Sequence, residues 1–310
     1  MRVFLWHVHG SWTTAFVQGP HTYLVPVLPD RGPDGRGRAQ TWTWPATVEE
    51  VTPAEAAQAD FDVMVLQRPE ELHGLAAAWT GRRPGRDVAA VYLEHNAPDG
   101  PVNGMVHPAA DRPDLSVVHV THFNQAFWHT GATRSVVIEH GIIDPGYRYQ
   151  GSLPRAAAVI NDPGSRTRAT GADLLEEFRR AAPVDLFGMR SERQGGADLP
   201  QARLFDAMAA RRVYLHPNRW TSLGLSLIEA MTLGMPVVAL AATEVPEAVP
   251  SGAGVVSTRV STLTAGLIRL VNEPDEARAM GRLARQGALE RFGLGRFLDD
   301  WDRLLKEAVG

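Results

Sequence analysis

The stretch from Arg212 to Leu240, RVYLHPNRWTSLGLSLIEAMTLGMPVVAL, predicts a strand, a loop, a helix and a second strand in succession. The first strand ends at His216, and a loop of small and polar residues enters a helix near Leu225. Gly234 and Pro236 end that helix before the run Pro-Val-Val-Ala-Leu. Since this run is apolar on both faces, it is typical of a parallel sheet that helices cover on both sides.

The same alternation of short apolar runs with helical or turn segments continues in both directions along the chain. It predicts a doubly wound α/β fold. The residues Trp42–Trp44 fit either a short strand or a loop. The predicted strands are Arg2–Val8, Tyr23–Leu28, Asp62–Leu66, Val88–Glu94, Leu115–Thr121 and Ser135–Glu139 in the first half, and Ala156–Ile160, Val184–Phe187, Arg212–His216, Pro236–Leu240 and Gly254–Val256 in the second.

A length of 310 residues indicates two domains. The boundary is predicted within Asp144–Pro154, which holds several glycines and prolines between the two series of strands. We therefore expect Rossmann-like domains over 1–150 and 151–310. After the last strand the chain turns helical, and whether the terminal helices pack back on the first domain is left open. The predicted helices are Leu263–Asn272, Asp275–Arg291 and Leu294–Ala308, and the last of them has Phe297, Trp301 and Leu304 on one apolar face.

The start of the helix near Leu225 is the best candidate for a ligand site. Ligands of doubly wound sheets bind beyond the carboxyl ends of the strands, and two such domains predict a cleft between them. A small-residue loop that enters a helix leaves backbone N–H groups free, which suits a diphosphate. Glu229, about one turn inside this helix, can accept hydrogen bonds from a ribose diol. The alternative is a carboxylate that points to solvent and interacts with the helix dipole.

The composition excludes several classes of protein. Lys plus Arg number 31 and Asp plus Glu number 35, a net charge of −4, so a generally basic nucleic-acid binder is excluded and no nucleic acid is expected as a partner. The absence of cysteine excludes disulfides, thiolate nucleophiles and Cys-ligated metals. Lys306 is the only lysine, so the phosphate loop of NTPases is excluded. The chain shows no export signal or membrane span, and we expect a cytoplasmic protein.

From Gly224 to Val238 the sequence reads Gly-Leu-Ser-Leu-Ile-Glu-Ala-Met-Thr-Leu-Gly-Met-Pro-Val-Val. This resembles the signature Glu-Gly-Phe-Gly-Leu-x-x-x-Glu-Ala-Met-Ala-x-Gly-x-Pro-Val-Val of retaining, two-Rossmann (GT-B) enzymes in the glycosyltransferase group 1 superfamily. The resemblance implies a glycosyltransferase of the hexosyltransferase type. Such an enzyme moves a sugar from a nucleotide diphosphate-sugar to an acceptor hydroxyl, with neither a metal ion nor a bound cofactor. It holds the donor in the second domain and the acceptor in the first.

Other segments extend the resemblance. The strand that ends at His95 resembles the family's strand whose histidine touches the donor sugar, and Val137–Asp144 resembles the segment before the hinge. Gly188 ends a segment that resembles the strand before the base-binding loop. Gly10 follows the first strand, where a glycine lets the backbone approach a ligand. The donor-binding residues implied in this way are Gly10, Gly188, Thr221, Gly224, Leu225, Ser226 and Glu229.

The chain departs from the family pattern at two places. Thr221 stands where the signature has its first glutamate, which lies near the sugar hydroxyls. The family usually carries an Arg and a Lys that neutralise the diphosphate, whereas the loop after Ala156–Ile160 offers Arg166 and Arg168. Either guanidinium can bind phosphate oxygens with two hydrogen bonds, and the alternative is that both are solvated. The candidate catalytic residues are thus His95, Arg166 and Arg168.

Two other functions stay open: a nucleotide-sugar 2-epimerase, and a non-catalytic nucleotide-sugar-binding homologue.

Ten of the eleven histidines precede Asp144, and they fit a polar wall, a set of core histidines or, less well, a metal site poor in carboxylates. Asp60-Phe-Asp62 resembles a metal-binding motif but opens a strand, so no metal is expected there. The sequence names no base, sugar or acceptor. It lacks a basic amphipathic stretch, which leaves membrane docking without support.

Overall fold

The computed structural model describes residues 1–310. The chain divides into two compact units, of which the first comprises Met1–Gly141 with Leu294–Gly310 and the second comprises Ile142–Gly293. Each unit contains one sheet of parallel strands with apolar clusters that involve both faces. The prediction of a doubly wound α/β fold is therefore confirmed. None of the helices is both long enough and apolar enough to cross a membrane.

The first unit is built on a seven-stranded sheet. Its elements are β1 (Arg2–Leu5), α1 (Gly10–Phe16), β2 (Thr22–Pro26), β3 (Val48–Val51), α2 (Pro53–Gln58), β4 (Val63–Leu66), α3 (Ala76–Thr80), β5 (Ala89–Glu94), β6 (Ser116–His119), α4 (His122–Phe127), β7 (Arg134–Val137) and α12 (Leu294–Val309). The strand order is β3-β2-β1-β4-β5-β6-β7, with every neighbouring pair parallel.

Alternate residues of β1 enter different apolar clusters. Val3 and Leu5 belong to a cluster that includes Trp12 of α1, whereas Phe4 belongs to another. This division follows from the period of two along a strand. The apolar face of α12 packs into the same cluster as Trp12, and the ring centre of Trp301 lies 5.5 Å from that of Trp12. Burial of this face explains why the last helix belongs to the first unit.

The second unit is built on a five-stranded sheet. Its elements are β8 (Leu153–Val159), α5 (Thr167–Thr170), α6 (Leu175–Ala181), β9 (Val184–Phe187), α7 (Gln201–Ala210), β10 (Arg211–His216), α8 (Leu225–Leu233), β11 (Val237–Leu240), α9 (Val245–Ala248), β12 (Gly254–Ser257), α10 (Val260–Asn272) and α11 (Pro274–Phe292). The order is β12-β11-β10-β8-β9, again all parallel. The chain crosses from one side of β8 to the other between β9 and β10, which makes the carboxyl ends of β8 and β10 the switch point of this sheet.

The structure corrects the predicted strands in one main respect. All eleven predicted strands are present, although several end earlier, as β1 does at Leu5. The strand β3 was not predicted, because its sequence Val-Glu-Glu-Val carries two charges. It lies at the edge of the sheet, where Glu50 accepts hydrogen bonds from Arg31 and from the Arg38 backbone. Charged residues are common on such edges. Trp42–Trp44 lies outside any strand.

Candidate functional site

The start of α8 lies just beyond the carboxyl end of β10. Gly224 caps the helix in an extended conformation (φ −68°, ψ 120°), and its position provides no side-chain cap for the first N–H groups. The Leu227 N–H donates to the Gly224 carbonyl at 2.9 Å, while the N–H groups of Leu225 and Ser226 have no backbone acceptor. Free N–H groups and the helix dipole together attract an anion. The predicted donor-binding residues Gly224, Leu225 and Ser226 thus form one surface suited to phosphate.

Glu229 lies one turn deeper in α8 and is buried, with 7% of its surface exposed. Its Oε1 accepts a hydrogen bond from Gln201 Nε2 of α7 at 3.1 Å. The alternative of a carboxylate that points to solvent is therefore wrong. On the same helix, the Ser226 hydroxyl accepts a hydrogen bond from the Tyr214 hydroxyl at 2.8 Å, which ties the first turn of α8 to β10. Burial, with a smaller contribution from the Glu229 charge, raises the pKa of Tyr214, so this phenol stays protonated.

His216 ends β10 directly beneath the cap of α8. It is 1% exposed, and neither of its ring nitrogens has a hydrogen-bond partner. A Cβ at position 224 would lie 2.6 Å from His216 Cε1, 3.4 Å from its Nε2 and 3.7 Å from Asn218 Nδ2. A side chain at position 224 would therefore require the His216 ring to move. Burial lowers the pKa of His216 to about 4, so the ring is neutral near pH 7.

Asn218 and Thr221 line the loop between β10 and α8. Asn218 Nδ2 donates to the Thr221 hydroxyl at 3.4 Å, while the buried Asn218 Oδ1 has no partner. The predicted site residue Thr221 thus lies in the loop that ends at Gly224. Neither His216 nor Asn218 was predicted as a site residue. The sequence did contain an indication of both, because each is a polar side chain at or just after the end of an apolar strand, next to the glycosyltransferase signature.

The two candidate arginines lie in the segment after β8. Arg166 is exposed and directly precedes α5, and its side chain makes no ion pair. Arg168, whose side chain is 80% exposed, pairs with Asp173 at 3.1 Å. Asp173 also holds Arg219, from the loop after β10, and the N–H of Arg219 donates to the Ala169 carbonyl at 2.8 Å. These contacts hold the segment that carries Arg166 and Arg168 against the loop that leads into α8. Arg219 was not predicted as a site residue either.

Gly188 lies at the end of β9 with a positive φ of 128°. A side chain there would collide with the Ile160 carbonyl, so glycine is required. The next residue, Met189, donates its N–H to Asn161 Oδ1 at 2.9 Å, and the Asp162 N–H donates to the Met189 carbonyl at 2.8 Å. The loops after β8 and β9 are thereby held together at the carboxyl edge of the second sheet, the same edge as the start of α8.

The two remaining candidates, Gly10 and His95, belong to the first unit. Gly10 begins α1 beneath Trp42, whose Cζ3 would lie 3.0 Å from an added Cβ. His95 is buried at the end of β5. Gln67 donates its own amide N–H to the Trp6 carbonyl, so its oxygen faces His95 Nε2 at 3.2 Å and that nitrogen carries the proton. Burial lowers the pKa of His95 well below its usual value, with the neighbouring His9 as a second cause.

His95 is part of a row of three imidazoles, of which His95 and His140 are buried and His9 is partly buried. Its ring centre lies 3.8 Å from that of His9 and 6.3 Å from that of His140. Burial lowers the pKa of His9 to about 4 and that of His140 to about 3. The row is therefore uncharged at neutral pH, and each ring can donate one hydrogen bond and accept another.

Part of the second unit matches a known family by sequence. Residues 198–287 match the family model described as Glycosyl transferases group 1. This range contains α8, Glu229 and the loop before them. The chain matches no curated protein sequence.

Several solved structures share the fold. Sucrose-phosphate synthase from Thermosynechococcus elongatus is 13% identical with a TM-score of 0.73, over 99% of this chain and 98% of that one. Anabaena HepE in complex with UDP-glucose is 17% identical with a TM-score of 0.70, over 99% and 100%. TarM of S. aureus, solved with UDP, is 13% identical with a TM-score of 0.62 over 78% of this chain, which spans only 55% of the TarM chain. At such identities the likeness establishes the fold, which is the GT-B fold.

Proposed function

Because residues 198–287 match the Glycosyl transferases group 1 family model, we propose that the second unit binds a nucleotide diphosphate-sugar and that the chain transfers the sugar to an acceptor hydroxyl. The observation that carries the proposal is the start of α8, where free N–H groups follow Gly224 and a buried carboxylate, Glu229, lies one turn deeper. Among the proteins of the same fold, HepE was solved with UDP and with UDP-glucose, and TarM with UDP. A uridine nucleotide is therefore the first ligand to test.

Each part of the donor has a candidate partner. The carboxylate of Glu229 accepts the two ribose hydroxyls, with Gln201 fixing one of its oxygens. The backbone N–H groups of Leu225 and Ser226 bind the diphosphate, and a guanidinium from the segment after β8 adds positive charge. Gly188 gives the loop after β9 the backbone shape to receive the base. His95, as a neutral imidazole, contacts the sugar.

The reaction we propose retains the configuration of the sugar and uses no metal ion. The bond between the anomeric carbon and the phosphate oxygen breaks, and its electron pair stays on the phosphate. The acceptor oxygen bonds the same face of the carbon, and its proton passes to the departing phosphate. Preorganised N–H groups stabilise the charge that develops, each typically by about 3 kcal/mol, roughly a hundredfold in rate.

A change of Glu229→Gln tests the proposed site. It keeps the volume of the side chain but removes the charge that accepts the ribose hydroxyls. We expect UDP-glucose to bind about tenfold to a hundredfold more weakly by calorimetry, the usual effect of losing hydrogen bonds to a charged group. Glu177→Gln on α6 is the control, because this glutamate is exposed and lies outside the proposed site. Equal affinities for the two variants would remove Glu229 from the site.

Thr221 favours a second candidate, a protein that binds the nucleotide-sugar without transferring it. Thr221 supplies a hydroxyl but no charge where the signature has a glutamate. Analysis of the products from UDP-glucose and a panel of hydroxyl acceptors separates the functions. A transferase releases UDP only with an acceptor, an epimerase consumes donor alone, and a binding protein does neither. Transfer that stops when a chelator is added would contradict the metal-free reaction.

A further inference from the structure

The imidazole of His216 is an unexplained polar group in the core of the second unit. Both ring nitrogens are buried and neither has a hydrogen-bond partner. A buried donor or acceptor without a partner destabilises the folded state, and an apolar side chain at this place avoids that cost. The residues on both sides of it in β10 and the next loop, Leu215 and Pro217, are themselves apolar and buried. A histidine here therefore needs a reason other than stability.

The place of the ring points to a ligand. Its Cε1–Nε2 edge faces Gly224, the cap of the nine-residue helix α8, whose first N–H groups are also unsatisfied. Asn218 brings a second unpaired atom, Oδ1, to the same loop, and its Nδ2 lies near the same side of Gly224. Unsatisfied polar groups from a strand, a loop and a helix thus meet at one place. The His216 ring thus lies against Gly224, the residue that caps the helix of the proposed phosphate site.

We propose that His216 is a donor-binding residue, whose ring N–H bonds a phosphate oxygen of the nucleotide diphosphate-sugar after the Gly224 backbone shifts aside. The inference rests on the proposed function. A hydrogen bond from a neutral imidazole to a charged phosphate is of the stronger, charge-assisted kind. The unsatisfied ring thereby gains its partner only when the donor is bound. The unpaired ring therefore destabilises the ligand-free protein, and the complex with the donor is free of that destabilisation.

The test compares His216→Leu, which removes both nitrogens, with His216→Gln, which keeps an N–H donor. We expect His216→Leu to bind UDP-glucose at least about tenfold more weakly than the unchanged protein, and His216→Gln to recover most of that loss. The ligand-free His216→Leu protein should melt at a higher temperature than the unchanged protein. Undiminished affinity in His216→Leu, or an equal loss in both variants, would overturn the proposal.

His119 of the first unit supplies the matched control. It too is fully buried with both nitrogens unpaired, but it ends β6 in the other sheet. His119→Leu should raise the melting temperature of the ligand-free protein and leave UDP-glucose affinity unchanged. If the unchanged protein binds no nucleotide-sugar at all, the proposed function fails and this inference fails with it. If it binds and His216→Leu binds equally well, only this inference fails.

A measurement on the unchanged protein keeps the test independent of how the variants fold. Nitrogen NMR of ¹⁵N-labelled histidine reports the ring nitrogens directly. Addition of UDP-glucose should shift the His216 ring nitrogens and leave those of His119 in place. A His216 signal that does not move at saturating UDP-glucose would contradict the direct hydrogen bond.

Discussion

The side chain at position 221 affects both the charge and the hydrogen bonding next to the start of α8. It lies three residues before the cap of α8, and its hydroxyl accepts a weak hydrogen bond from Asn218. A glutamate at this position adds a negative charge near the free N–H groups of α8, which suits the helix dipole. The same charge repels a diphosphate, unless a sugar hydroxyl beyond the phosphates donates a hydrogen bond to it. We therefore expect the residue at 221 to influence how strongly the binding of the proposed donor depends on its sugar.

The change Thr221→Glu is expected to weaken the binding of UDP more than that of UDP-glucose. At about 6 Å in a watery site, a like charge costs about 0.7 kcal/mol, roughly threefold in affinity, and only the sugar nucleotide offers a hydroxyl in return. The ratio of the two dissociation constants, measured by calorimetry, reports the effect. Thr221→Val is the control without charge. A ratio that is the same in both variants would make position 221 a bystander.

A helix or strand could be predicted from the sequence where several of its residues indicate the same structure. The helix α8 begins at Leu225, as predicted, because a glycine-containing loop, an apolar helix and Gly234 all agree. The contacts of single side chains could not be predicted. Asp173 and Arg219, for example, are 46 residues apart in sequence, and their ion pair forms because β8 and β10 are neighbours in the sheet.

The contacts of the segment after β8 separate its two arginines. Arg168 is held by Asp173, whereas Arg166 makes no ion pair and is available to a phosphate. We therefore expect Arg166→Ala to weaken UDP-glucose binding about tenfold or more, and Arg168→Ala to do so less, as seen by calorimetry. Both changes should cost less than about 1 kcal/mol of stability, because the side chains are exposed. Arg180→Ala, on the exposed face of α6, is the control. The reverse order of the two effects would transfer the role to Arg168.

The histidines are divided unevenly between the two units. The second unit buries only His216, whereas the first buries five histidines: His21, His95, His107, His119 and His140. The sequence showed the uneven spread but could not tell core histidines from a polar wall, because burial depends on packing between distant strands. Burial lowers the pKa of His119 and His140 to about 3 and that of His216 to about 4, and it lowers the pKa of His95 well below its usual value.

The first unit should therefore lose stability faster than the second as the pH falls from 7 to 5. Histidines in the unfolded chain titrate near pH 6.5, so the unfolded state takes up protons that the folded state excludes, and the free energy of unfolding falls with pH. Each histidine that stays neutral contributes up to about 2 kcal/mol of this loss. In the second unit only His216 has a lowered pKa, whereas in the first unit six histidines do: His7, His9, His21, His95, His119 and His140. Hydrogen exchange at several pH values, corrected for its intrinsic rate, reports each unit separately. His140→Phe should flatten the dependence in the first unit alone. Equal slopes in the two units would mean that these imidazoles take up protons in the folded state.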